Sequence, residues 1–462
     1  MNPIQLFGLG LHSKSPNVTA QKRVNFYLEF IPDGDKTRVV AYGTPGLTLF
    51  ADRGDAPIRG IHPFGAYIYI VHRSTLWQIS RAGAAVSKGT VNTVQGKVSM
   101  ADNGTQIMIA TGTSGYIYNT ATDTFSQISD GDYPGGDTVT FLDGFFIVNK
   151  PSSGQFWISG SYTGLTWDAL DFATAESNPD NLVRVFSNNS QLVLFGDIST
   201  EFWSNTGALD FPYSRITSIE WGLAARWSVA EFENGLIYLA KNRMGQVQVV
   251  RLDGYTATIV DTPDLSYLIN NYSTISDASG FSYMHNTHPF YQINFPTAGE
   301  SWLYDGQSNC WSQLKSFDVT RHRAELGVTF NNGTVVSDYE NGLMYNIDGD
   351  AYTDNDEAII GELVGKHIVQ GLEPFSIGEM QVDMETGVGL ATGQGSDPQI
   401  MLQVSRDGGH NFGREKWRSF GQIGDYLARA RWLRLGQAYD FTFKLRISDP
   451  VKRVILGAWI KG

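Results

Sequence analysis

Seven times between Gly65 and Ser337 the chain repeats one short phrase, a turn followed by a run of strand-forming residues. The turns fall at Gly65, Gly104, Gly144, Ser190, Gly235, Pro289 and Gly333, at steps of 39, 40, 46, 45, 54 and 44 residues. The runs include Tyr67-Ile68-Tyr69-Ile70, Phe145-Phe146-Ile147-Val148 and Leu236-Ile237-Tyr238-Leu239. A second phrase keeps the same step. Tyr118 and Tyr304 each end a strand, a polar turn follows, and the chain returns on Phe125-Ser126-Gln127 and Trp311-Ser312-Gln313. Two phrases held to one period predict an all-β chain built as a β-propeller, because one small sheet can bury both faces only against like neighbours. The spacing reads as about seven blades, with six as the alternative. An ordinary β-sandwich with frequent turns would not keep both phrases in step.

The repeat marks the boundaries. Residues 1–48 do not carry the phrase and read as an extended N-terminal arm entering the first blade. Residues 49–347 form the propeller, and propellers often close by pairing a strand from one terminus with the blade at the other. A polar stretch at 348–357 follows and reads as a solvated linker. Residues 358–462 resume strands at a different spacing. In Glu379-Met380-Gln381-Val382-Asp383-Met384-Glu385 polar and apolar residues alternate, as in a half-buried strand, so a C-terminal, sandwich-like β domain is expected.

A single cysteine, Cys310, excludes an intrachain disulfide framework and is expected to face a blade core. The first thirty residues lack a basic start followed by an apolar stretch, and no run approaches the length of a membrane span. A soluble protein made in the cytosol is expected. The net charge of −13 is uneven. From Met401 to Gly462 there are twelve Lys/Arg and five Asp/Glu, so the last 62 residues carry +7 and the first 400 carry −20. Arg429, Arg431 and Arg434, two and three residues apart on a strand edge, are the candidate interface for an acidic partner. The alternative is a solvated strand face.

Motifs for chemistry are sparse. Ser405-Arg406-Asp407-Gly408-Gly409-His410-Asn411-Phe412 resembles the Asp-box turn of sialidase-like propellers, and residues 159–167 are a looser relative. That turn is structural even in enzymes, since its Asp accepts backbone N–H groups. A glycosidase needs two placed carboxylates or a tyrosine nucleophile, and no spacing here marks such a pair. His285 and His288 read as polar loop residues rather than zinc ligands, and Arg321-His322-Arg323 as a basic surface stretch. The acidic run at 348–357 lacks the glycine and final glutamate of a helix–loop–helix calcium loop. No phosphate loop or nucleophile elbow occurs. No catalytic residue, cofactor or metal is therefore assigned. Two rival readings stand: a sialidase-like or polysaccharide-cleaving enzyme, and a receptor- or glycan-binding module.

The chain also resembles a known family, the packaged-DNA stabilisation proteins (tail hub or nozzle proteins) of short-tailed bacteriophages. The resemblance is carried by Ala175-Glu176-Ser177-Asn178-Pro179-Asp180, Phe195-Gly196, Glu201-Phe202-Trp203, Thr206-Gly207 and Gly222-Leu223-Ala224-Ala225. It returns at residues 407–415, at Arg431-Trp432-Leu433-Arg434-Leu435-Gly436 and at Phe443-Lys444-Leu445-Arg446-Ile447. Asn25-Phe26-Tyr27 and Pro45-Gly46-Leu47 resemble the family's N-terminal arm. It implies a non-enzymatic virion tail protein assembled in the bacterial cytoplasm, typically as a hexamer, below the portal and its adaptor ring. There it would seal the packaged genome and extend the ejection channel, with tail fibres, tailspikes or a needle attached. DNA would pass without sequence-specific binding, and an acidic lumen would let it slide. No membrane insertion is implied.

Overall fold

The computed structural model describes residues 2–4, 6–8, 10, 14–33, 36–371 and 373–462. The repeat phrase becomes an antiparallel sheet. The first such sheet runs Ile58–Phe64, Tyr67–His72, Thr75–Ser80 and Ala85–Thr90, each strand paired with the next. Gly65 turns the first hairpin at φ 59°, a left-handed conformation that glycine adopts without strain. Its second strand is buried on both faces from Ile68 to His72, as a strand sandwiched between neighbouring sheets must be. Among the described residues six further sheets repeat this meander, beginning at Ser99, Val139, Leu182, Gly222, Ser279 and Ala324. Neighbouring sheets touch in order, the fourth and fifth through Gln191–Gly196 with Gly222–Leu223 and through the bond from Arg226 Nε to the Val183 carbonyl. Ala324–Phe330 touches both Ser279–His285 and Ile58–Phe64, so the ring closes.

Three details depart from the sequence reading. In the sixth sheet the turn sits at Asn286-Thr287, both at positive φ, and not at Pro289. Pro289 lies in the strand opposite Met284, one residue beyond the Phe290–Asp305 pair, where its carbonyl accepts Gly306 N at 2.9 Å. The long step before it is filled by a helix, Pro263–Asn270, capped by Thr262, whose side chain accepts from Leu265 N. No helix among the described residues is long and apolar enough to cross a membrane.

The third departure concerns the N-terminal segment, parts of which (1, 5, 9, 11–13, 34 and 35) lie outside the described residues. It is not an arm into the first blade. Gly46–Asp55 pairs with Asn341–Asp348 as the fourth strand of the last sheet, with the short strands Thr353–Asp354 and Glu357–Ala358 beyond it, and so joins the N-terminal segment to the end of the repeat. The strands before it belong to the C-terminal sandwich. One layer runs Phe26–Asp33, Lys36–Gly43, Val454–Lys461, Phe375–Met384 and Ala430–Ala438, with Asn2–Ile4 on Val454–Lys461. The other runs Lys22–Val24, Gly361–Val364, Asp440–Ile447, Gln399–Ser405 and Lys416–Ser419. Between them Phe26, Met380, Leu402, Trp432, Phe443 and Ile455 form one apolar core. Each such side chain contributes about 1.5–3 kcal/mol relative to exposure.

The two parts share a sheet. Val24 pairs in parallel with Gln313 of the strand Cys310–Leu314, so the sixth propeller sheet continues into the sandwich. Cys310 is buried there, packed with sandwich-core residues rather than inside a blade, and burial pushes its thiol pKa up.

Candidate functional site

Ala430–Ala438 is the outermost strand of its sheet and presents Arg431, Leu433 and Arg434 to solvent, with Trp432 and Leu435 turned inward. Arg429 precedes it, also exposed. The structure thus brings all three predicted arginines to one edge but treats them differently. Arg431 Nε donates to Glu379 Oε1 at 2.6 Å, whereas Arg429 and Arg434 have no ion-pair partner among the described residues. Arg434 sits at φ 58°, where the register with Phe375–Met384 slips between Ile377 and Glu379. That bulge blunts the edge as a template for further strands. The loop before the strand exposes Ile423, Tyr426 and Leu427 at 65%, 75% and 86%. Sequence reasoning missed them, although three large apolar residues in a Gly-rich turn segment were a readable signal.

The Asp-box resemblance holds geometrically. Ser405 Oγ lies 2.7 Å from Asp407 Oδ1, which also accepts Asn411 N at 2.9 Å, while Oδ2 accepts Asn411 Nδ2. The Ser405 hydrogen bond first, then those from Asn411, hold the Asp407 carboxyl down at about 2. The turn clamps the N-terminal segment, since His410 Nε2 lies 2.9 Å from Asn17 Oδ1. A carboxyl whose pKa is lowered on folding stabilises above its unfolded value, and that stability is lost as pH falls from about 4 towards 2. Asp407→Ala is therefore expected to cost about 1 kcal/mol at pH 7, discounted for its exposure, and progressively less below pH 4. Denaturant midpoints at pH 7 and 2.5 check this. An equal loss at both would show that the carboxylate's charge is not the cause.

Three sequence readings are corrected. His288 is not a loop residue: it is buried, with Nδ1 2.9 Å from Asp305 Oδ2 and its ring stacked on Phe290. Arg321 and His322 are not surface residues. Arg321 lies 3.9 Å over the Tyr339 ring and pairs with Glu325 at 2.7 Å. Burial, with Arg323 and Arg321 adjacent, drives the His322 imidazole down to about 3. The 348–357 stretch is not wholly solvated, because Asp354 is buried, accepting from Ser316 Oγ at 2.7 Å.

At the propeller axis all seven inner strands line one cavity of about 560 Å³. Contacts between strands define two levels along it. At or just before the strand starts lie Arg59, Lys97, Arg184 and Trp227; further along the axis lie His62, Asp102, Thr140, Ser187, Glu231 and Ser282, joined in pairs by hydrogen bonds. His62 Nε2 is 2.8 Å from Asp102 Oδ2, and Thr140 Oγ1 donates to Ser187 Oγ at 2.8 Å. Burial alone would raise the Asp102 carboxyl, but the His62 contact outweighs it and holds the pKa below the usual range.

A closed ring of radial sheets fused edge-on to a two-layer sandwich defines the class, a β-propeller with a C-terminal β-sandwich. Residues 8–352 match the family described as Bacteriophage P22 Gp10, beta-propeller, and residues 362–462 match Bacteriophage P22 Gp10, beta-sandwich. The chain belongs to this family, as the resemblance read in the sequence implied. It is similar to the tail hub protein gp10 of Salmonella phage P22, with 22% identity over 313 residues, 62% of this chain and 61% of that protein. The match thus spans about three fifths of that relative's length. Among solved structures, the N-terminal domain of Nup159 aligns at TM-score 0.43 and 8% identity over 70% of this chain and 98% of that one. YCF48 bound to D1 peptide aligns at TM-score 0.43 and 13% identity over 66% and 98%.

Proposed function

We propose that the chain is a structural tail-hub protein of a phage virion. It assembles as a homo-oligomer, a hexamer in the family-based reading, below the portal-adaptor ring, where it seals packaged DNA and forms part of the ejection channel. The observation that carries this reading is the match of both domains, in order, to the two Gp10 families. The radial sheets are read as seven blades, and the sandwich as a unit built from both chain ends. The role asks for rigid surfaces and no bond-making chemistry, so no hydrolase activity is assigned. Incubation with host lipopolysaccharide or sialosides should yield no new reducing ends; cleavage abolished by one carboxylate substitution would overturn that. Tail fibres, tailspikes or a needle are the further partners.

The basic strand edge is read as a docking surface for an acidic ring. Each exposed charge is worth at most about 1 kcal/mol, so the informative variant replaces Arg429, Arg431 and Arg434 together by Gln. Attachment of the hub to its adaptor is expected to weaken, and added salt should weaken the wild-type complex in the same way. Particles that keep full tails and packaged DNA with the triple variant would assign the arginines to solvation alone. Imaging the purified protein with its adaptor ring tests the reading as a whole.

A further inference from the structure

The cations along the propeller axis are not equally satisfied. Arg59 spends its guanidinium on the carbonyls of Arg73, Thr93, Gln95 and Gly96 and the Thr93 hydroxyl. Lys97 pairs with Glu325, and Arg226, just outside the cavity, pairs with Asp137 at 2.7 Å. Arg184 differs. Its one hydrogen bond among the described residues is from Nη1 to the Arg226 carbonyl at 2.9 Å, its Nε has no partner, and no described carboxylate lies within ion-pair distance. Its charged end lies 5.2 Å from the centroid of the Phe186 ring and 5.7 Å from that of Trp227. Burial, and then the neighbouring Arg226, lower its pKa to about 10, so it remains charged at neutral pH.

Arg184 is half-buried against this cavity, and a partly desolvated cation without a counter-charge is one that proteins ordinarily pair. The surroundings here leave the pairing to something else. We propose that the start of the axial cavity binds a single carboxylate carried on a small, sugar-sized body, with Arg184 as the anion partner. One uncommitted guanidinium matches one negative charge. Trp227 and Phe186 offer flat apolar faces to the body, while the hydroxyls of Thr140, Ser187 and Ser282 line the far end. A phosphate dianion fits less well, because the other two cations of this level are already committed.

The test uses the full chain and three probes: glucuronate, its neutral counterpart glucose, and inorganic phosphate, titrated by calorimetry at low ionic strength. Glucuronate is expected to bind saturably, at least tenfold more tightly than glucose and more tightly than phosphate. Arg184→Gln should lose at least tenfold in glucuronate affinity while melting close to the wild type without ligand, and Arg184→Lys should retain part of the affinity. If Arg184→Gln does not fold, the wild-type probe series and Arg184→Lys decide. No saturable glucuronate binding, equal binding of glucose, phosphate binding as tightly as glucuronate, or undiminished affinity in Arg184→Gln would each overturn the proposal.

Discussion

Replacing Arg453 by Ala is expected to lower the unfolding free energy by about 3–5 kcal/mol, because it removes a buried cation that joins three chain segments. Arg453 is 2% exposed at the start of the strand Val454–Lys461. Nη1 donates to Ile359 O at 2.8 Å and Nη2 to Thr44 O at 3.2 Å, tying the segment just after the linker and the N-terminal segment to the C-terminal strand. Its stem packs against Gly43, where a side chain would collide with it. Its charge also serves Asp354. Burial pushes the Asp354 carboxyl up to about 6, although Ser316, Arg323 and Arg453 all pull it down. An acid whose pKa rises on folding keeps its proton while the unfolded chain has lost it, so stability falls as pH rises from about 4 to 6 and is flat above. Without Arg453 the folded pKa climbs further and that falling window extends upward. The loss in Arg453→Ala should thus be larger at pH 8 than at pH 5. Denaturant unfolding at both pH values checks this, and a loss below about 1 kcal/mol at either would refute the strut role.

The propeller was legible because its cause is local. A turn residue at positive φ followed by a continuous apolar run is written into every blade, and the period survives even where the turn residue is misidentified, as at Pro289. What could not be read is pairing across distance. Nothing in residues 22–55 says that Lys22–Val24 will bridge blade and sandwich, or that Gly46–Asp55 will close the last sheet, because a strand's neighbours are chosen by complementary faces hundreds of residues away. Charge suffers the same limit. Arg321 and His322 look like surface residues until the seam between the sixth and seventh sheets encloses them, and Arg431 looks free until Glu379 arrives from the neighbouring strand. The Asp-box turn was readable, since Ser405, Asp407 and Asn411 satisfy one another within seven residues. Arg184 was invisible for the opposite reason: its lack of a counter-charge is a property of the whole ring.

Asn25 is expected to be the pin that makes propeller and sandwich one mechanical unit. It is 2% exposed, at φ 55°, between the strands Lys22–Val24 and Phe26–Asp33. Its Nδ2 donates to Lys315 O at 2.7 Å and Ile360 O at 2.9 Å, and its Oδ1 accepts Lys315 N at 2.9 Å. One side chain therefore satisfies backbone groups at the end of the sixth propeller sheet and at the start of the C-terminal domain. Asn25→Ala removes all three bonds and places a Cβ residue without polar compensation in the left-handed region, for an expected loss of about 3–4 kcal/mol. Asn25→Gly loses the same bonds but relieves the backbone, so it should cost about 1 kcal/mol less than Ala. The consequence reaches beyond stability. With the pin intact, calorimetry should show one cooperative transition, whereas Asn25→Ala should separate melting of the sandwich from that of the propeller. Under the proposed function, in which the hub holds packaged DNA, force passes through this junction, so particles carrying Asn25→Ala should lose their genomes at lower temperature than wild type. Equal stability of the Ala and Gly variants, or one undivided transition at the wild-type midpoint in both, would remove Asn25 from this role.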